Sequence, residues 1–374
     1  MMKSKVAVLK TSPATVLEDY RKLMRLADYR NTLSPEQDTI IKLNLSWTRY
    51  FPACSSQPWQ LEGVVKTLLA DGFAPERLFP LENKTVVTDP IKGAQNNRWL
   101  PVLDKYKLAF TPLTDVKWVK YRFKPFAEGN GLEPSGRTGR HKLLMLDKIF
   151  PDGIEIPEMF IGKNIIHLPT VKTHGHTVTT GAIKNSFGGL LKQVRHYAHK
   201  HIHQVLVDLM IMQKELHPNI FSVMDGTVCG DGAGPRTMMP IIKDYILAGA
   251  DSVALDAVAA RMMGFDPLKI DYLRLCTEMG LGNAEMKNIE IVGADISGVD
   301  FGFRTKKSVV IWGDQMLRQG ALKTIGKIAL HPWLMFWAPM ASNLYHDFIW
   351  YPLIGKPRIS KFMETEWGKL FQKY

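Results

Sequence analysis

Cysteine is scarce in this sequence. Three thiols, Cys54, Cys229 and Cys276, are spread over 374 residues and no two form a C-x-x-C pair. Neither a zinc ribbon nor a four-cysteine iron–sulfur cluster can be assembled from one such chain. A thiol-poor chain without a disulfide framework suits a reducing compartment. Long apolar runs are missing too, since none reaches the roughly 20 residues that a helix needs to span a bilayer. The opening MMKSKVAVLKTSP lacks the apolar core and small-residue cleavage site of a secretory signal, so a cytoplasmic location is expected. Neither a G-x-G-x-x-G fingerprint nor an H-E-x-x-H zinc motif occurs, and no internal repeat is visible. Acidic residues are outnumbered, 36 against 48 Lys and Arg, which leaves a formal charge of +12. That balance favours anionic partners: carboxylated or phosphorylated small molecules, an acidic membrane surface, or nucleic acid.

What is present is a soluble-type composition, 45% hydrophobic and 22% charged, long enough for one large domain or two ordinary ones. Strand-like segments alternate with helical ones. Lys5–Lys10 is a strand and Val16–Asp28 a helix with apolar residues at helical spacing. Thr39–Trp47 reads as a strand whose Lys42, Asn44 and Ser46 share one face and can present a lysine and an amide to a cleft. Ser55 or Ser56 is expected to cap a helix running to Ala70. Ile220–Met224, Tyr245–Ala248 and Asn288–Val292 read as further strands, and Ser252–Met263 as a helix stopped by Gly264. This alternation predicts an α/β fold with a largely parallel or mixed sheet flanked by helices. The turn formers from Glu128 to Lys142 mark a candidate lobe boundary near 128–155 within a core of 1–320.

The chemistry is expected at Phe160–Leu191. Here an apolar strand breaks at Pro169 and leads into a turn-rich stretch carrying Lys172, His174, His176, Lys184 and Asn185. Ligands of open α/β sheets bind at the carboxyl ends of strands, so Lys172, His174, His176 and Lys184 are the candidate catalytic groups. The histidines can act as acid and base, and the lysines can fix an anion or serve as nucleophiles if burial lowers their pKa. The stretch CGDGAGPR is read as a loop forming the second half of the site. In it Gly232 and Gly234 turn amides towards an anion, Arg236 is a ligand-binding candidate, and Asp231 and the preceding Asp225 bind a metal or orient a histidine; a plain tight turn stays open. Eight of the eleven histidines lie from His167 to His217. Of these, His196, His199 and His203 fall on one side of an expected helix, where neutral imidazoles can hold a transition metal; the flanking Lys192, Arg195 and Lys200 favour a basic, solvated face instead.

The segments LPTVKTHGHTVTTGAIKNSFGGLL, MDGTVCGDGAGP and LAGADSVALDAVAARMMGFDP resemble the signature blocks of the DUF362 family, a domain of unknown function. With IIKLNLSW and SSQPWQLEGVV, the resemblance runs over about residues 38 to 300. Many relatives carry a following cysteine-rich, ferredoxin-like module. The resemblance therefore raises a separate electron donor as a partner, with no iron–sulfur cluster expected from this chain itself. A transition metal or an organic cofactor both remain open.

Two further segments point elsewhere. KWVKYRFKPF (Lys117–Phe126) interleaves basic and aromatic residues, which suits either a half-exposed strand or nucleic-acid contact. The extension 321–374 is aromatic and basic. From Trp312 onward the chain holds Trp312, Trp333, Trp337, Trp350 and Trp367, five of its nine tryptophans. Such a segment either packs over the core or lies in a membrane interface.

Overall fold

Period-two alternation of apolar side chains builds two layers onto one sheet. In β1 (Ser4–Lys10), Val6 and Val8 enter one buried cluster and Ala7 the other. In β2 (Thr39–Lys42), Ile40 and Ile41 divide the same way. The computed structural model describes residues 3–85, 87–123, 143–192, 196–305 and 343–374, with backbone only at 196 and 197. The other strands are β3 (Leu78–Glu82), β4 (Thr111–Pro112), β5 (Trp118–Tyr121), β6 (Ile154–Pro157), β7 (Asn164–His167), β8 (Thr170–His174), β9 (Val178–Thr179), β10 (Ile220–Ala233), β11 (Thr237–Gly249) and β12 (Ile289–Gly293).

Ten of these form one sheet in the order β12-β1-β11-β10-β7-β2-β3-β4, with β8 on β10 and β9 on β8. Pairing is parallel except along β11, which runs antiparallel to both β1 and β10, and at β9. The fold is thus mixed α/β. The helices Ala182–Leu190, Ile202–Leu216, Ser252–Met263 and Asp271–Glu278 cover one face, and Val16–Leu26 and Pro58–Ala70 the other. The long helix Ser252–Met263 begins where Asp251 accepts from the amides of Val253 and Ala254, and ends at Gly264, whose φ of 97° is left-handed.

Several local expectations differ from the structure. CGDGAGPR is not a loop: β10 continues to Ala233 and folds back through Gly234–Arg236 into β11, which is far longer than Tyr245–Ala248. KTHGHTV is a short hairpin, with His174 opposite Val178 across the β8–β9 turn. β2 stops at Lys42 rather than Trp47. Gln57, not a serine, caps Pro58–Ala70, because Ser56 Oγ is engaged by the Asn44 amide and by Leu168 O. The lysine- and aromatic-rich run does form a strand, β5, paired with β6. Its residues Lys124 and Phe126, the segment 128–142, Arg195 and the part of the extension before 343 lie outside the described residues. Where described, the extension packs on the core: Trp350, Phe362, Trp367 and Phe371 are buried with Trp47, Phe51 and Trp59.

Candidate functional site

The parallel strands β2, β3 and β7 end side by side, and their last residues are polar although buried. Lys42 Nζ lies 2.7 Å from Glu82 Oε1 and 2.6 Å from Leu43 O. Glu82 also accepts from the amides of Leu45 and Asn83, at 2.9 and 2.8 Å. Two oxygens thereby balance a buried ammonium with charge-assisted hydrogen bonds, the condition under which such a pair is tolerated. The helix Ala182–Leu190 sits over this pair, with Gly188 and Gly189 facing Lys42. Asn185 Nδ2 donates to Lys42 O at 3.0 Å. Asn185 therefore seats the helix on the strand end. His167, at the end of β7, is held by Gln213 at 2.5 Å, and burial pushes its imidazole down to about 3, so it stays neutral.

Lys172 makes a different contact set. Its Nζ reaches Asn44 Oδ1 at 2.5 Å, Ser46 Oγ at 3.1 Å and Cys54 O at 2.5 Å, all neutral acceptors. Burial pushes its pKa down to about 8, against a weaker opposing pull from Cys54 and Glu82. Lys42 and Asn44, neighbours in the sequence pattern, thus go to different partners. Arg236, at the tip of the β10–β11 hairpin, has Cys54 and Asp347 as electrostatic neighbours, and burial pushes it down to about 10. Cys54 Sγ lies 3.1 Å from Pro235 O, so the hairpin tip closes on the segment that holds Lys172.

His174 ends β8 and is buried. Its Nδ1 accepts from the His176 amide at 3.1 Å, which leaves the proton of the neutral ring on Nε2. Its pKa is held well below the usual histidine value, first by burial and then by Lys184, His176, His199 and Lys172. The structure therefore gathers four basic side chains about one neutral imidazole. His176 and His199 stand with ring centroids 6.2 Å apart, and His199 packs edge-on against Phe187. Beneath, Asp256 accepts from the amides of Ala182 and Ile183 at 2.7 and 3.1 Å, and burial pushes its carboxyl up to about 8. A Cβ on Gly181 would lie 2.2 Å from Asp256 Oδ1, so only glycine lets the helix start reach this carboxyl.

Other expected residues are placed differently. Asp225 faces the opposite layer, bonded by Tyr20 Oη at 2.7 Å, Trp59 Nε1 at 3.0 Å and Thr227 Oγ1 at 2.8 Å. It is a buried, saturated packing group. Asp231 accepts from the Arg304 amide at 2.8 Å. Gly232 O accepts from Thr173 Oγ1 at 3.0 Å, and a Cβ on Gly234 would stand 1.9 Å from Thr173 O. Gly234 thus allows close packing of β10 on β8, whereas Gly232, with a left-handed φ of 101°, has open space where a Cβ would stand. The histidine segment is not one helix: residues 196–201 form a tighter turn and the α-helix begins at Ile202. His203 Nδ1 accepts from the Tyr272 amide at 3.3 Å, its ring also bonds the His176 backbone, and it stacks on Tyr272. Among the described residues no three His, Cys, Asp or Glu side chains converge as a metal site. Glu82 and Cys54 belong to the site's framework without a signal of their own in the sequence; Asp256 reads there as a residue pinning the helix Ser252–Met263, and the helix whose amides it accepts is Ala182–Leu190.

Residues 144–261 match the family described as Domain of unknown function (DUF362). That span holds β7 to β11 and most of the helix Ser252–Met263, and so includes Lys172, His174, His176 and Lys184. The chain is also 27% identical over 121 residues, 31% of its length, to the Thylakoid-associated protein sll1697 of Synechocystis sp. (strain ATCC 27184 / PCC 6803 / Kazusa). The matched stretch spans 37% of that protein. No solved structure matches the chain.

Proposed function

From a chain whose central part is a DUF362 domain, to which no activity is attached, we propose an enzyme that binds and transforms a small carboxylated or phosphorylated molecule at the ends of β2, β3 and β8. One observation carries this reading: Lys184, His176, His199 and Lys172 all bear on the buried His174, whose ring stands 5.8 Å from that of His176, while Glu82 is engaged by Lys42 and two amides. An anion entering there meets several basic side chains in a place of low dielectric, where charge–charge attraction is strong. Lys172 and Lys184 hold its charge. His174 moves a proton through Nε2, with His176 beside it, in acid–base chemistry or in redox chemistry on a bound cofactor fed by a separate electron donor. Titration calorimetry with inorganic phosphate, oxalate and citrate tests the reading. Lys184→Ala and His174→Ala are expected to weaken binding about tenfold or more, as loss of a charge-assisted contact implies, with His201→Ala nearly silent. Equal binding by all three variants, or loss of folding alone, refutes the assignment.

A second reading concerns location. The name of the Synechocystis relative places that protein with the thylakoid. We extend membrane association, from one side, to this chain, in which no described helix is long and apolar enough to cross a bilayer. Co-sedimentation with lipid vesicles tests it.

A further inference from the structure

Ten large apolar side chains are exposed among the described residues, and five of them fall within eleven positions of the helix Leu344–Gly355. Phe348 and Leu353 are each 70% exposed, Ile349 53%, Leu344 52% and Ile354 40%. The orientation of this face is fixed by the fold. On the inner side His346 and Trp350 are buried against Trp47 and Phe51, Trp47 Nε1 donates to Asp347 Oδ1 at 2.7 Å, and Tyr351 Oη donates to Tyr50 O at 3.3 Å. Asp347 is the one acidic residue of Leu344–Gly355, and it is turned to Trp47 and Arg49. The outer face therefore carries no negative charge. Directly after it, the helix Lys356–Met363 exposes Lys356 and Lys361, while Arg358 donates to Met238 O at 2.6 Å and lies over the Trp350 ring.

We propose that this face docks on an anionic lipid surface, with Phe348, Ile349 and Leu353 entering the headgroup boundary and Lys356 and Lys361 meeting lipid phosphates. The inference rests on the membrane-association reading above and adds to it the surface and the lipid class. A clustered apolar face of this kind needs a cover. Apolar residues bordered by lysines match an interfacial helix, and each lysine near an anionic surface adds attraction. A second copy of the chain is the poorer cover, because it brings like charges together across the contact.

The full chain and a Phe348→Asp/Leu353→Asp double variant are co-sedimented with phosphatidylcholine vesicles and with vesicles containing phosphatidylglycerol. Both side chains are exposed, so circular dichroism and the melting temperature should be unchanged. The expected result is binding of the wild type to the anionic vesicles, weakened by salt, and at least tenfold weaker binding of the double variant. Wild type that binds no vesicle refutes both the docking surface and membrane association. Equal binding by both proteins refutes this surface alone and leaves membrane association standing. A wild-type dimer that the double variant splits, without vesicle binding, assigns the face to self-association and refutes the lipid proposal.

Discussion

Replacing Lys172 by methionine should change how stability depends on pH, and in a direction the structure fixes. Burial lowers its ammonium from 10.5 to about 8. The unfolded chain then holds this proton more tightly than the native one, so the group disfavours folding below its native pKa. The cost disappears as pH rises from about 8 towards 10.5. Its full size is about 3 kcal/mol, from the separation of the two pKa values. Between about pH 7 and about pH 9.5 the wild type should gain about 2 kcal/mol relative to Lys172→Met, which has nothing to titrate. The variant also leaves Asn44 Oδ1, Ser46 Oγ and Cys54 O without their donor, at about 1–3 kcal/mol for each unsatisfied group. That loss does not vary with pH, so the absolute stability of the variant decides nothing. The change in the difference between the two proteins decides it. Urea unfolding of both at the two pH values gives that quantity, and a difference that stays constant refutes a buried, depressed Lys172.

Two more outcomes follow from the site's framework. Glu82→Ala removes the carboxylate 2.7 Å from the buried Lys42 and should cost about 3–5 kcal/mol by chemical denaturation; a Lys42→Met/Glu82→Leu pair restores the share due to the ion pair, while the Leu45 and Asn83 amides stay without their acceptor. A pair that stays as unstable as the single variant would show that the ion pair is not what the strand ends depend on. Gly234→Ala places a methyl 1.9 Å from Thr173 O. The strand carrying Lys172 and His174 must shift, so about 1–3 kcal/mol of stability should go together with phosphate binding, read by thermal melting and calorimetry.

Much of this molecule is written along the chain. Alternation in KVAVLK and TIIK assigns β1 and β2, and the Asp251 cap with Gly264 bounds the helix Ser252–Met263, because each signal lies within a few residues. The clustering of Lys172, His174, His176 and Lys184 near a strand end is likewise legible, since residues this close in sequence stay close in any α/β unit. Pairings and faces are not. CGDGAGP has little strand propensity, and it is held extended by β11 on one side and β8 on the other. Asp225 looks available in a Gly-rich segment, yet the register of β10 turns it to Tyr20 and Trp59. The regular histidine spacing counts only on an unbroken helix, and the backbone changes at His201. Lys42 finds Glu82 forty positions away, and Lys172 finds Asn44 128 positions away. Local periodicity is a property of neighbouring residues, so the sequence alone determines it. The partner that neutralises or fails to neutralise a buried lysine is set by how distant strands align, and only the tertiary structure decides it.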